Sequence, residues 1–489
     1  MWEQVLKHYP TVSLVFVVLL SVFTIVRIIM DTGNSAKTMA YILLVFLFPV
    51  GGAAIYFIFG VNYRRRKLFT KKIIANEALF LKIQDRLEAA SLKILEERPP
   101  DIAGSEDLIR LLLKDSRAPL SYNKVKLLIN GEQKFEAVFA AIEKATHFIH
   151  LEYYIFDDDD IGNRLLRLLA RKAGEGVTIR LIYDDFGSHG INNDAIAALR
   201  EAGGLAFPFY EVKFYLLANR LNYRDHRKII IVDGLLGFTG GINVSDKYIN
   251  DGNPEKLYWR DTHVMLEGPA VNNLQYHFIA NWNFCAEETL EVDRQFFPIP
   301  FEHEEGRDDL VQIVAGGPDY PSSAIMLSFF TAIVSARESV YITSPYFIPN
   351  ESIYDALKKA ALSGKDVRLL LPGVSDSRIV NAAARSYFAD LMTCGVRIFL
   401  YQKGFVHAKT IAIDDNLAMV GSANMDGRSF ELNFEINAVI YSRTICKQLV
   451  DNFHTDTGFS VELSPVQWAQ RPWWRELIDD IARLLSPIL

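Results

Sequence analysis

At 489 residues the chain is long enough for two or three domains, and half of its residues are hydrophobic. The balance of 52 Lys and Arg against 59 Asp and Glu leaves a net charge of −7, which argues against a basic nucleic-acid binder. Three scattered cysteines, Cys285, Cys394 and Cys446, suggest neither a disulfide framework nor a zinc knuckle, and a mean hydropathy of +0.10 is high for a wholly soluble enzyme.

Residues 11–30 are apolar apart from hydroxyls and Arg27, and residues 38–60 form a second run with no charge. Each is close to the roughly 20 residues that cross a bilayer. The connection, Thr32-Gly33-Asn34-Ser35, has turn composition, so residues 1–62 are expected to form a transmembrane helical hairpin. A cleaved leader fits less well, because no small-residue cleavage site is clear and the second run follows at once. Arg64-Arg65-Arg66-Lys67 and Lys71-Lys72 come next; the positive-inside tendency keeps them, and the large part after them, cytoplasmic. The cluster serves either as a topology signal or as a contact to anionic headgroups. Residues 63–115 read as a charged, helical juxtamembrane linker interrupted at Pro99-Pro100.

From there two stretches repeat one order of elements, residues 116–300 and 301–489. In the first, a strand at 125–129 and a turn at Asn130-Gly131 precede Phe135, Val138, Phe139 and Ile142, an apolar helical face. Strands at 147–156, 177–183 and 206–214 flank a helix at 164–173. In the second, Ile325, Phe329, Ala332 and Ile333 give the helical face, and strands at 340–347, 367–371 and 396–401 flank a helix at 353–361. Alternating strands and helices imply an α/β fold. Tyr154 matches Tyr346, and Arg180 matches Arg368. The first stretch carries about ten extra residues, 211–220, either a gate beside the site or a tolerated surface insertion. His147 and His150 read as ordinary strand residues. The acidic run at 157–160 reads as a solvated loop, with a divalent-cation site as the alternative. The tail, with Trp468, Trp473, Trp474, Arg471 and Arg475, either rests at a bilayer interface or packs on the second repeat.

Each stretch contains His-x-Lys-x4-Asp: His226, Lys228 and Asp233, then His407, Lys409 and Asp414. An Asn follows ten residues after each Asp, at Asn243 and Asn424, behind Gly240-Gly241 and Gly421-Ser422. Strand alternation points each His and Lys the same way. Turn residues at Asp233-Gly234 and Asp415-Asn416 predict hairpins. Their mirror points, residue sums of 469 and 831, bring each Asn back beside its His. Two sets of imidazole, ammonium and carboxamide suit a phosphate bound between two halves, and repetition at matched spacing is hard to obtain from packing alone.

These motifs resemble the phospholipase D superfamily, over roughly residues 120 to 460. The resemblance implies two pseudo-symmetric α/β repeats sharing one site. It implies that Asp261 and Glu435, on later strands, each orient the histidine of their own half. It implies that one histidine, taken as His226, attacks phosphorus while the other, His407, acts as acid and base. Asp233 and Asp414 belong to the catalytic set, and Asn243 and Asn424 hold substrate. Two lysines can do the work of a cation, so no metal and no cofactor is required. The two spans, the basic linker, the Trp-rich tail and the phrases beginning at Glu152, Tyr183 and Ser344 resemble bacterial cardiolipin synthases. That resemblance implies a multi-pass protein of the bacterial inner membrane that joins two phosphatidylglycerols, with phosphatidylethanolamine as donor in some relatives. A hydrolytic phospholipase D, a phosphodiester nuclease and a non-catalytic scaffold for anionic lipid are the competing readings. Oligomeric state and acyl-chain preference are not encoded in the motifs.

Overall fold

The computed structural model describes residues 2–31, 35–57, 84–209, 223–253, 255–286, 288–291, 293–300, 305–484 and 486. They divide into an N-terminal unit and a large α/β unit.

In the N-terminal unit, helix Trp2–Asp31 contains one stretch, Thr11–Asp31, long and apolar enough to cross a membrane. The second run, expected as one span, divides into helices Ser35–Leu47 and Pro49–Ile55. Pro49 lacks an N–H and crowds the preceding turn, which accounts for the break at Phe48. Ile28, Val45 and Tyr56 still pack together across the three helices. The basic cluster at 64–72 and the extra residues at 211–220 lie outside the described residues.

The first half of the large unit contributes strands β1 (Ser121–Ile129), β2 (Phe148–Tyr153), β3 (Thr178–Asp184), β4 (Leu205–Phe209), β5 (Lys228–Val232), β6 (Leu236–Gly240), β7 (Tyr258–Arg260) and β8 (Thr262–Glu267). The second contributes β9 (Asp309–Gly316), β10 (Ser339–Thr343), β11 (Phe347–Ile348), β12 (Asp366–Pro372), β13 (Arg397–Tyr401), β14 (Gly404–Val406), β15 (Thr410–Ile413), β16 (Leu417–Gly421), β17 (Met425–Asp426), β18 (Glu435–Tyr441) and β19 (Ser460–Glu462). One mixed sheet runs β19-β13-β12-β10-β15-β16-β18-β9-β1-β8-β6-β5-β2-β3-β4. Its order reads alike outward from the antiparallel junction of β9 and β1, where Tyr122 pairs with Leu310, except that β19 closes the second half alone. The two repeats therefore share a continuous sheet within one compact unit. Helix Glu106–Asp115, expected as part of a linker, is core: Leu108, Ile109 and Leu112 are buried with Phe329 and Ile333 of the second half.

Both motif hairpins form, with a register one residue from the expected one. Ile229 pairs with Thr239 and Thr410 with Val420, which places the mirror points on Gly234 and Asp415. The loops have three residues, and Asp233 and Asp414 enter them at φ of 53° and 52°. A one-residue slip would turn Asn243 to the opposite face if the ladder continued. It does not: β6 ends at Gly240, whose φ is 151°, and the chain turns away before Asn243.

Candidate active site

His226 and His407 precede their strands, and each is held by backbone pairing with the opposite half. The His226 N–H donates to the Phe434 carbonyl at 2.9 Å, and Asp225 bridges Phe434 in parallel. In the other half β14 pairs in parallel with β7, Val406 beside Arg260, and the His407 N–H donates to the Arg260 carbonyl at 2.7 Å. One residue further along each pairing, Glu435 meets His226 and Asp261 meets His407. The Nδ1 of His226 lies 2.9 and 3.0 Å from the two Glu435 carboxylate oxygens, and the Nδ1 of His407 lies 2.7 Å from Asp261 Oδ2. The expected own-half pairing is thus corrected: each acid serves the histidine of the other half, because the crossing strands set the register.

The surroundings tune these contacts. A Cβ on Gly241 would stand 2.2 Å from Asp261 Oδ1, so only glycine leaves room for that carboxylate. At the matching position Ser422 donates its hydroxyl to Glu435 Oε2 at 2.5 Å. With Nδ1 on a carboxylate, Nε2 of His226 is left for chemistry, whereas Nε2 of His407 also lies within reach of Lys409. Burial first of all lowers both imidazoles, His226 to about 4 and His407 to about 3, so both rings are neutral near pH 7.

Both rings line one cavity of about 470 Å³, together with Asn243, Asn424, Tyr154, Tyr248, Tyr346 and the cations Arg224, Lys247 and Arg428. The Asn243 amide donates to the Tyr248 hydroxyl at 2.9 Å, and that hydroxyl lies 3.3 Å from His407 Nδ1. Asn424 Oδ1 is buried without a hydrogen-bond partner on the cavity wall, so it can accept from a bound hydroxyl. The ammoniums of Lys228 and Lys409 donate to the carbonyls of His226 and His407 at 2.6 and 2.5 Å. Lys409 Nζ also lies 2.9 and 3.0 Å from the two His407 ring nitrogens. Burial lowers Lys228 to about 7 and Lys409 to about 8.

Asp233 and Asp414, expected in the catalytic set, are elsewhere. Seven residues of nearly extended chain separate each from its histidine, roughly 20 Å. Asp233 accepts from the backbone N–H groups of Thr146, His147 and Phe148, and Asp414 from those of Arg337, Glu338 and Ser339. Each pins a hairpin tip to the start of the neighbouring strand.

Sequence reading missed Arg224, Lys247, Tyr248 and Arg428. The phrase beginning at Tyr183 held a usable signal for the first of these. Asp184 accepts from the Asp225 N–H at 2.9 Å and lies 3.7 Å from Arg224, bracing the segment before His226. Of the acidic run, Asp159 caps helix Asp160–Gly174 and Asp157 joins the cavity wall. Among the described residues no cluster of three or more His, Cys, Asp or Glu could hold a metal ion. His150 is buried between Gln275 and Arg180.

A family model described as cardiolipin synthase, PLD-like domain, matches residues 138–282 and again 329–457. A second, described as phospholipase D-nuclease N-terminal, matches residues 19–60. A cardiolipin synthase of Geobacillus thermodenitrificans is 42% identical over 480 residues, covering 97% of this chain and 94% of its own. One of Listeria innocua is 40% identical over 479 residues, covering 97% and 98%. The chain belongs to the cardiolipin synthase family. The family's double match falls on the two halves of the sheet, each with its histidine. The solved structure of a phosphatidylserine synthase from Haemophilus influenzae shares the fold, with a TM-score of 0.61 at 12% identity, over 78% of this chain and all of that one.

Proposed function

We propose that this phosphatidyltransferase of the cardiolipin synthase family joins two phosphatidylglycerols into cardiolipin and glycerol at the cavity between His226 and His407. In the first step the Nε2 of His226 attacks phosphorus. The new N–P bond replaces the P–O bond to glycerol, whose oxygen takes a proton from His407. In the second step the hydroxyl of the second lipid gives its proton to His407 and attacks phosphorus, and the N–P bond breaks. Glu435 and Asp261 stabilise the imidazoles as they gain positive character. Lys228, Lys409, Asn243 and Asn424 stabilise the phosphoryl oxygens. An anionic phosphodiester in the cavity raises both histidines from their depressed values, which lets His407 hold the proton it must donate.

The observation that carries this reading is the pair of imidazoles, each with a carboxylate from the opposite half on Nδ1, opening on one cavity. The anchor supports a lipid as substrate, since a bilayer is where phosphodiesters are most concentrated. We infer further that both apolar segments cross the bilayer and that the basic cluster at 64–72 holds the catalytic part on the cytoplasmic side. We infer two repeats, 116–300 and 301–489, a reading that the duplicated strand order of the sheet supports. The test is purified protein with phosphatidylglycerol vesicles and separation of products. Cardiolipin plus glycerol is expected; phosphatidic acid would turn the reading to hydrolysis. Rapid quenching with phosphorus-labelled lipid should leave label on the peptide carrying His226, and label on His407 would reverse the two roles.

A further inference from the structure

The C-terminal helix Trp473–Arg483 is amphipathic in the reverse of the usual sense. Its protein-facing side carries Asp479 and Ala482, both buried. Asp479 is 2% exposed and takes ion pairs from Arg385 at 2.8 Å and Arg471 at 3.0 Å. Its outward side carries Trp473, Trp474, Leu477, Ile478 and Ile481, with Leu484 just beyond, all exposed; Trp473 is 73% and Leu484 76% accessible. At 3.6 residues per turn these six cover an arc of roughly 140°. A soluble surface helix puts such a stripe inward. Here polar anchoring fixes the helix with its apolar side out.

The buried side of the helix packs on residues of the cavity wall. Ala482 packs in a small cluster with Ile348, Ala382 and Ala383, against which Val380 lies. Ile348 and Val380 line the cavity, as does Asp376. Val374 and Ile379, which flank those wall positions in sequence, are exposed as well.

We propose that this face docks on the lipid bilayer, with Trp473, Trp474, Leu477, Ile478, Ile481 and Leu484 in the interface, so that the helix joins the bilayer on one side and residues of the cavity wall, Ile348 and Val380, on the other. The inference rests on the lipid-substrate reading above for its choice of occupant. Three observations favour lipid over a protein partner. Tryptophan pairs are suited to the boundary between headgroups and chains. The exposed charges of the helix, Arg475 and Arg483 against Glu476 and Asp480, balance, so neither a basic nor an acidic partner is selected. The helix that carries the stripe packs, through Ala482, on residues lining a cavity that on the proposed reading receives substrate from a bilayer. Balanced charge also means that docking is driven by apolar burial and changes little with salt or with anionic lipid content.

The test uses the full chain in proteoliposomes, with Trp2→Phe to silence the anchor and brominated phosphatidylcholine as quencher. Trp473 and Trp474 should supply most of the quenched emission, so adding W473F/W474F should remove most of the quenching. Quenching that persists in that variant would overturn the proposal, as would concentration-dependent cross-linking through this face with its tryptophans shielded from bromine, which would mark a contact between two copies. This readout needs no turnover, so it stands or falls separately from the reaction. In a second arm Leu477→Glu with Ile481→Glu should lower turnover on bilayers by roughly tenfold or more. Turnover of short-chain lipid in detergent should be unchanged. Equal loss in both media would mean a folding defect rather than lost docking.

Discussion

The two halves of the site are built alike and finished differently. Around His226, Glu435 presents both carboxylate oxygens and Ser422 holds one of them. Around His407, Asp261 offers one oxygen through space left by Gly241, while Tyr248 and Lys409 crowd the same ring nitrogen. A longer acid faces a serine and a shorter acid faces a glycine, so each pair reaches its imidazole by a different division of length. Lys409 also opposes protonation of His407 in the empty site, second only to burial. On the proposed assignment of His407 as the acid, an anion that draws this ammonium away favours the protonated ring. On the same proposed assignment, the two carboxylate oxygens beside His226 would stabilise its ring when it carries the bond to phosphorus.

The comparison breaks most sharply at the rings. His226→Ala and His407→Ala should each lower product formation by about 10⁴-fold or more, and the double variant should be little worse than either, because both act on one phosphorus centre. Substantial turnover in either single variant would mean two independent sites. Next in size, Glu435→Gln and Asp261→Asn should each cost roughly 10²-fold while leaving the fold intact. Because the pairing is crossed, Glu435→Gln should behave kinetically like a damaged His226 and Asp261→Asn like a damaged His407. The sharp reading is the intermediate. Glu435→Gln should slow its formation, whereas Asp261→Asn should depress formation and breakdown together. The opposite pattern would restore an own-half assignment of the acids.

That crossing was not legible in the sequence, although both acids were. The motif, its repetition and the α/β alternation follow from local spacing, and the hairpins followed from turn residues. Which histidine meets which acid depends on β14 lying beside β7 and Asp225 beside Phe434, contacts between segments about 150 and 210 residues apart that no local pattern encodes. The placement of Asp233 and Asp414 was legible and was overlooked. A strand rise near 3.3 Å per residue already separates them from their histidines by far more than a hydrogen bond. Arg224, Lys247 and Arg428 were hidden for another reason: isolated cations in loops carry no periodicity to mark them.

The motif aspartates supply a contrast between chemistry and stability. Asp233→Ala would leave three N–H groups at the start of β2 without their acceptor, and Asp414→Ala would do the same before β10. Hydrogen bonds to a charged acceptor contribute about 1.5–3 kcal/mol each, and water can replace part of this at such exposed tips. A loss of about 1–3 kcal/mol in denaturant unfolding is expected, with activity per folded molecule retained. Replacement by Asn, which keeps an acceptor and tolerates positive φ, should recover much of the loss. A folded but inactive Asp233→Ala protein would return that residue to the chemistry.

The smallest effect tests the lysines. Lys228 at about 7 and Lys409 at about 8 lie below an exposed ammonium because burial penalises their charge. At pH 8 Lys228 is therefore mostly neutral and Lys409 partly so. A bound phosphodiester supplies the missing counter-charge, raises both values and draws protons from solution. Calorimetric binding of a non-hydrolysable phosphodiester analogue, compared across buffers of different ionisation enthalpy, should show uptake of about one proton at pH 8. The share due to the lysines should fade near pH 6, where both are already charged, leaving the proton that a raised His407 takes up. Lys228→Met should remove the larger share, since Lys228 is the more neutral of the two at pH 8. Heat independent of buffer at pH 8 would mean that the ammoniums stay on the carbonyls of His226 and His407. The phosphate would then be held by the cations of the cavity lining, Arg224, Lys247 and Arg428.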